Sequence, residues 1–327
     1  MKIRMRWVPL VLTFLASTLG VAAGSVSAQS YPSRIIRVIN PNQPGGNSDI
    51  VFRRTAAKMG EILGQQMVFD YRPGAGGNIG ADLVAKSAPD GYTTLIAAAS
   101  FLINPSMIKN LPFDAIKDFT PLGLVVEIPA SVVVHPSLGT KNIKELIALA
   151  KARPGQLNFA STGIGGTNHL SGELFKSMAG IDIVHVPYKG TSTAVPDLIG
   201  GQVSMMFTAT LSALPHVKTG LLRALGITSL KRSPAAPELP TIAESGLPGY
   251  ESVTWFALLA PTGTSREIVT RLNATITKIW QMPEIRDRLL SQGAEPLGGT
   301  PEQLGAFIKS EITKWSKVVA ASGARAE

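Results

Sequence analysis

The 327-residue chain has no cysteine, which excludes disulfides, thiolate metal sites and lipid attachment at a lipobox. Histidine is scarce as well: His135, His169, His185 and His216 lie far apart and show no metal-ligand spacing. Aromatic residues make up 6% and charged residues 16%, and no block of cations is interleaved with aromatics, so the pattern of a nucleic-acid binder is missing. The motifs of several enzyme classes are absent too: there is no G-x-x-x-x-G-K-[ST], no H-E-x-x-H and no G-x-S-x-G. GAGGNIG (74–80) is one residue too long for a dinucleotide fingerprint, and GIGGTN (163–168) carries Asn168 where the last glycine should stand. No internal repeat or low-complexity tract is found, and neither a metal nor a cofactor is expected.

The chain opens on a segment that reads as a secretory signal. Residues 1–28 hold Lys2, Arg4 and Arg6 with no acid, then an apolar stretch over 7–23, then Val26-Ser27-Ala28 as an A-x-A-like cleavage site. The apolar part is shorter than the ~20 residues a membrane span needs, and no later run is long enough. A soluble, exported mature chain is expected. Loss of the three cations lowers the formal net charge from +9 to +6, a mild excess that suits solubility and weak attraction of small anions. With 45% hydrophobic content, the rest of the chain can fill two lobes.

Strand-like runs alternate with helical patterns, which predicts an α/β fold with mainly parallel sheets. RIIRVIN (34–40) leads through a glycine elbow into a helix over 48–63 that Gly64 stops. Strands follow at 67–71 and 92–100, with a glycine turn and helix between them. LGLVVEIPASVVVHP (122–136) is too long for one ordinary strand and suits a segment that leaves one sheet and enters another. A second series then repeats the alternation: strands at 157–161, 183–188 and 203–209, with helices at 143–152, 168–179, 194–199 and 211–219. Residues 221–229 read as the return crossing, followed by a strand at 254–261 and helices from about 265, 283 and 301.

Ligands of open α/β sheets bind at the carboxyl ends of strands, so the elbows that follow the strands are the candidate site. In PGGNSD the glycines Gly45 and Gly46 permit a tight turn, while Asn47, Ser48 and Asp49 are good helix caps. STGIGGTN supplies Ser161, Thr162, Gly166, Thr167 and Asn168, with His169 beside them; Tyr188 with Thr191, and Ser100, end two further strands. Hydroxyls and helix-start amides give neutral donors and about half a positive charge per helix start, which suits an anion that is held without reaction. His169 serving Ser161 as a base in acyl transfer stays open as another reading. His185, alternating with valines, reads as structural, Met205 and Met206 as core, and Trp255 and Phe256 as core or cleft wall.

YPSRIIRVINPNQPGGNSD, RPGAGGNIGADLVAKSAPDGYT, LPFDAIKDFTPL, VVHPSL, HVPYKG, LPTIAESGLPGY and LLAPTGT together resemble the Bug/TctC family of extracytoplasmic solute-binding proteins of tripartite tricarboxylate transporters. The resemblance runs in order over essentially the whole mature chain. It implies a two-domain periplasmic binding fold of type II that closes on a carboxylate-bearing solute, with no catalysis and with membrane transporter subunits as partners. On this basis residues 29–129 and 228–327 are expected to form one domain and 130–227 an inserted one, in a monomer located in the periplasm. The matching positions are 45–49, the segment 161–169, and Tyr188 with Thr191. Many relatives carry an acid where this chain has Thr208, a position that resemblance places at the ligand; threonine cannot pair with an amino group, which favours a simple carboxylate, dicarboxylate or aromatic acid. Asn42 and Gln43 stand where relatives are often more apolar, and their amides suit a polar group on the ligand. A signalling receptor is the alternative function, and an exported hydrolase the third.

Overall fold

The structure, a computed structural model, describes residues 31–44 and 47–324. The expected signal segment therefore lies outside the described residues. The described chain is α/β, and its strands form one continuous, curled sheet with two halves.

The first half starts with β1 (Ile36–Asn40), which pairs in parallel with β2 (Met67–Tyr71) and β3 (Thr93–Ala98). Their connections are α1 (Asn47–Leu63) and α2 (Asn78–Ala85). After β3 comes α3 (Ala99–Met107) and then β4, a 16-residue strand over Phe119–Val134. The second half repeats the plan: α4 (Ile143–Ala152), β5 (Asn158–Ser161), α5 (Thr167–Ala179), β6 (Val184–Pro187), α6 (Thr191–Ile199), β7 (Met205–Ala209), α7 (Thr210–Lys218) and β8 (Arg223–Ile227). The chain then returns through β9 (Val253–Pro261), α8 (Arg266–Trp280), α9 (Pro283–Ser291), β10 (Glu295–Pro296) and α10 (Pro301–Ser322).

Strand β4 joins the halves as its length predicts. Its residues 119–129 lie antiparallel to β9, while 130–134 lie antiparallel to β7 on one side and β8 on the other. The strand orders β2-β1-β3-β9-β4 and β6-β5-β7-β4-β8 follow one pattern, each with a strand from a crossing segment in the fourth place. The sheet is mixed rather than mainly parallel. Only β1–β3 and β5–β7 run in parallel; β9 and β4 enter each half from the opposite end and must lie antiparallel to their neighbours.

The return crossing is not the single strand expected at 221–229. β8 stays beside the second-half part of β4; Thr228 then donates its backbone N–H to Ala130, and Ser252 donates to Thr228. The excursion 229–251 lies between these two residues, and β9 completes the crossing. The strand expected at 92–100 is also shorter: its alanine-rich end is already the first turn of α3. Gly180, with φ of 60°, closes α5 as expected of a residue that can turn left-handed.

The core follows the alternation of the strands. Phe101, Phe113 and Phe119 form an edge-to-face and stacked cluster in the first half, and Phe159, Phe175 and Phe207 pack in the second. α10, which runs against α3, β4 and α5, touches both halves and buries Trp315 completely. Its start carries a full capping box, Thr300 with Gln303.

Candidate functional site

Among the helices that follow strands of the two halves, five converge: α1 after β1, α3 after β3, α5 after β5, α6 after β6 and α7 after β7. First-turn residues of all five line one cavity of about 790 Å³: Ser48, Ala99 and Ser100, Thr167 and Asn168, Thr191, and Leu211 with Ser212. Four of the five helix starts have no side-chain cap, since Ala98, Gly166, Gly190 and Ala209 stand at their N-cap positions. The N-cap residue of α1 is outside the described residues. Uncapped starts offer backbone N–H groups and the positive end of the helix dipole to whatever occupies the cavity.

The rest of the wall is neutral. Asn42, Gln43, Thr162, Thr208, Thr254 and Gln292 add polar groups, while Ile128, Leu211 and Phe256 form an apolar floor. No acidic, basic or histidine side chain is among the described lining residues. Ser48 is positioned by a small network, donating to Asn40 Oδ1 at 3.1 Å and accepting from the Asn42 amide at 3.1 Å. Thr208 is almost fully buried, opposite Ser131 in the β4–β7 ladder.

Of the candidate residues, Ser48, Ser100, Thr162, Gly166, Thr167, Asn168, Thr191 and Thr208 come together at the cavity. Gly45 and Gly46 lie outside the described residues, and Asn47 is described only as the first residue of α1. Four others are turned away from the cavity wall. Asp49, one position past Ser48, accepts from the Tyr71 hydroxyl at 2.5 Å and from Arg53 at 2.8 Å, because adjacent helix positions face different ways. Tyr188 donates to Asp197 at 2.8 Å on its own half.

Ser161 and His169 do not form the base pair that acyl transfer would need. Ser161 is fully buried, with Oγ 2.7 Å from His185 Nε2 and donating to the Gly163 carbonyl at 3.1 Å. His169 Nδ1 accepts from the Gly165 N–H at 3.1 Å, which makes the histidine a brace for the loop that follows β5. The two imidazoles stack with centroids 3.9 Å apart. Burial lowers both to about 4, with His185 adding to the effect on His169 and Lys176 acting on each, so both are neutral at pH 7.

Several wall residues were not singled out from the sequence. Leu211 and Ser212 sit at a strand-to-helix elbow like the others, and that signal was available. Gln292 follows α9, far along the chain, and lines the cavity beside Gly293, which packs against Leu211 of the other half so closely that a Cβ would come within 2.7 Å of the leucine. Phe256 proves to be both core and cavity floor, whereas Trp255 packs edge-to-face on Phe307.

A two-part α/β sheet joined by crossing strands, with helix starts from both parts around one uncharged cavity, is the architecture of periplasmic solute-binding proteins of type II. The chain belongs to the family described as the tripartite tricarboxylate transporter family receptor, which it matches over residues 51–324. It is 40% identical to Protein BugT of Bordetella pertussis over 317 residues, covering 96% of this chain and 97% of that one. Among solved structures it is similar to R. palustris Rpa4515 with adipate, at 37% identity and a TM-score of 0.75, covering 90% of this chain and 99% of that one. It is also similar to MatC from Rhodopseudomonas palustris with bound malate, at 32% identity and a TM-score of 0.72 over 88% and 100% of the two chains. The family is one of solute-binding receptors rather than enzymes.

Proposed function

We propose that this protein captures a small organic acid in the cavity between its two sheet halves and delivers it to the membrane subunits of a tripartite tricarboxylate transporter. The observation that carries this reading is the set of helix starts on one cavity, four of them without a side-chain cap. A carboxylate supplies the acceptors those starts lack and gains from their dipoles. The adipate and malate bound by two related proteins are acids of this kind.

In this reading Ser48, Ser100, Thr162, Gly166, Thr167, Asn168, Thr191 and Thr208 hold the guest, with Gly45, Gly46 and Asn47 completing the first elbow. Asp49, Ser161, His169 and Tyr188 act from behind it by holding the loops. The halves serve as lobes, with the chain passing between them near 129 on β4 and near 252 at the start of β9, and closure about these crossings excludes water and strengthens each donor contact. The protein works as a periplasmic monomer after removal of residues 1–28. No helix among the described residues is long and apolar enough to cross a membrane.

Native mass spectrometry of freshly isolated protein tests the reading, together with calorimetric titration by dicarboxylates and monocarboxylates. A co-purified organic acid at one equivalent, or saturable heat with no turnover, is expected. Absence of both across the acids would contradict it.

A further inference from the structure

The polar loop after β5 carries one large apolar residue. Ile164 stands between Gly163 and Gly165 in an otherwise small and polar segment, and 56% of it is exposed. It lines a second cavity of about 880 Å³ that shares Ser100 and Gly166 with the first, so the two chambers adjoin at these residues. The facing wall is the end of α3, with Met107 and Ile108 from the first half opposite Ile164 from the second. The approach is close: Gly165 has φ of 76°, and a Cβ there would lie 2.7 Å from Met107 Cε. Lys109, exposed at the rim, is the only charged side chain among the described residues lining either chamber.

We propose that the outer chamber receives the apolar body of the same guest, which makes the ligand class a carboxylate with an extended apolar chain or ring. The acid head then sits among the uncapped helix starts, and the body passes Ser100 and Gly166 to lie between Met107, Ile108 and Ile164. This rests on the function proposed above and specifies its ligand. Methionine suits such a wall because its flexible thioether adapts to guests of different shape. An isoleucine left in water on a polar loop gains about what its buried side chain is worth once the guest covers it.

The test is calorimetric titration of the full chain with linear monocarboxylates from propionate to octanoate, in parallel with the uncharged Ile164→Ser variant. Affinity should rise about two- to fourfold per added methylene. Ile164→Ser should weaken octanoate by about tenfold and leave propionate unchanged. The exposed loop position makes the substitution compatible with folding, which circular dichroism checks. Acid binding that does not strengthen with chain length overturns the inference and leaves the proposed function standing. So does an Ile164→Ser effect equal on long and short acids, or none at all. Binding of no acid at any length contradicts the proposed function and this inference together.

Discussion

Two groups of helix starts in this molecule are built differently. Away from the cavity, α4, α8 and α10 begin with Asn142, Ser265 and Thr300, each accepting a hydrogen bond from the first turn of its helix. At the cavity, α3, α5, α6 and α7 begin with alanine or glycine and have no such bond. A side-chain cap contributes about 1 kcal/mol over alanine and a few tenths over glycine, so four starts without one forgo stability that the same chain secures elsewhere. The difference teaches where binding and folding part: outer starts are completed by the protein, inner ones by a guest. α2, which follows β2, and α9 also begin without a side-chain cap, at a left-handed Gly77 and at Met282 before Pro283, so a bare start marks the site only where its first turn also lines the cavity.

The largest effect should come from making an inner start resemble an outer one. Gly166 has φ of −71°, which any residue adopts, and a Cβ there would meet the Gly163 carbonyl only at 3.6 Å. Gly166→Asp is expected to cap α5 from within, raise stability by about 0.3 kcal/mol and weaken organic-acid binding about a hundredfold or more. Thermal unfolding and calorimetry on one sample read both changes, and a rise in stability with unchanged affinity would break the contrast.

Thr208→Asp places a carboxylate on the cavity wall without touching a helix start. Binding of simple acids should weaken roughly tenfold to a hundredfold from like charge at short range. A guest with an amino group should bind better to this variant than to the parent, and competition titration with amino acids against simple acids checks the reversal.

Outside the cavity, substitutions should move stability and leave affinity alone. Burial first, then Glu251 and Glu295, raises the Glu127 carboxyl to about 7, against the weaker pull of Lys314. A carboxyl raised on folding binds its proton more tightly in the folded chain. Its contribution is therefore complete below the ordinary carboxylate range and is lost as pH rises through about 7. Denaturant melts at pH 5 and pH 8 should show the parent losing about 1–2 kcal/mol more than Glu127→Gln over that interval. The smallest expected effect is that of Thr300→Ala, which removes an outer cap: about 1 kcal/mol of stability lost, with acid affinity unchanged.

Much of the fold was legible because periodicity and breakers report local structure. The length of 122–136 disclosed a strand shared by the two halves of the sheet, and Gly64 and Gly180 marked helix ends. The start of α3 was not legible, since an alanine-rich stretch such as 97–99 is compatible with a strand end and with a helix. The course of the return crossing was hidden because β8 and β9 lie along one side of β4 only through contacts made after a 23-residue excursion, 229–251. At the site, residue types at strand ends located the elbows, but side-chain direction was not readable there. Ser48 and Asp49 are neighbours that face apart, and Ser161 turns to His185 rather than to His169. Gln292 reaches the cavity by packing between halves, which no local pattern encodes.

Amide hydrogen exchange with and without a saturating acid, adipate or octanoate, tests most directly whether inner helix starts wait for a guest. Added protection is expected in the first turns of α3, α5, α6 and α7 and none in those of α4, α8 and α10. Equal protection of both groups, or protection confined to the outer starts, would contradict it.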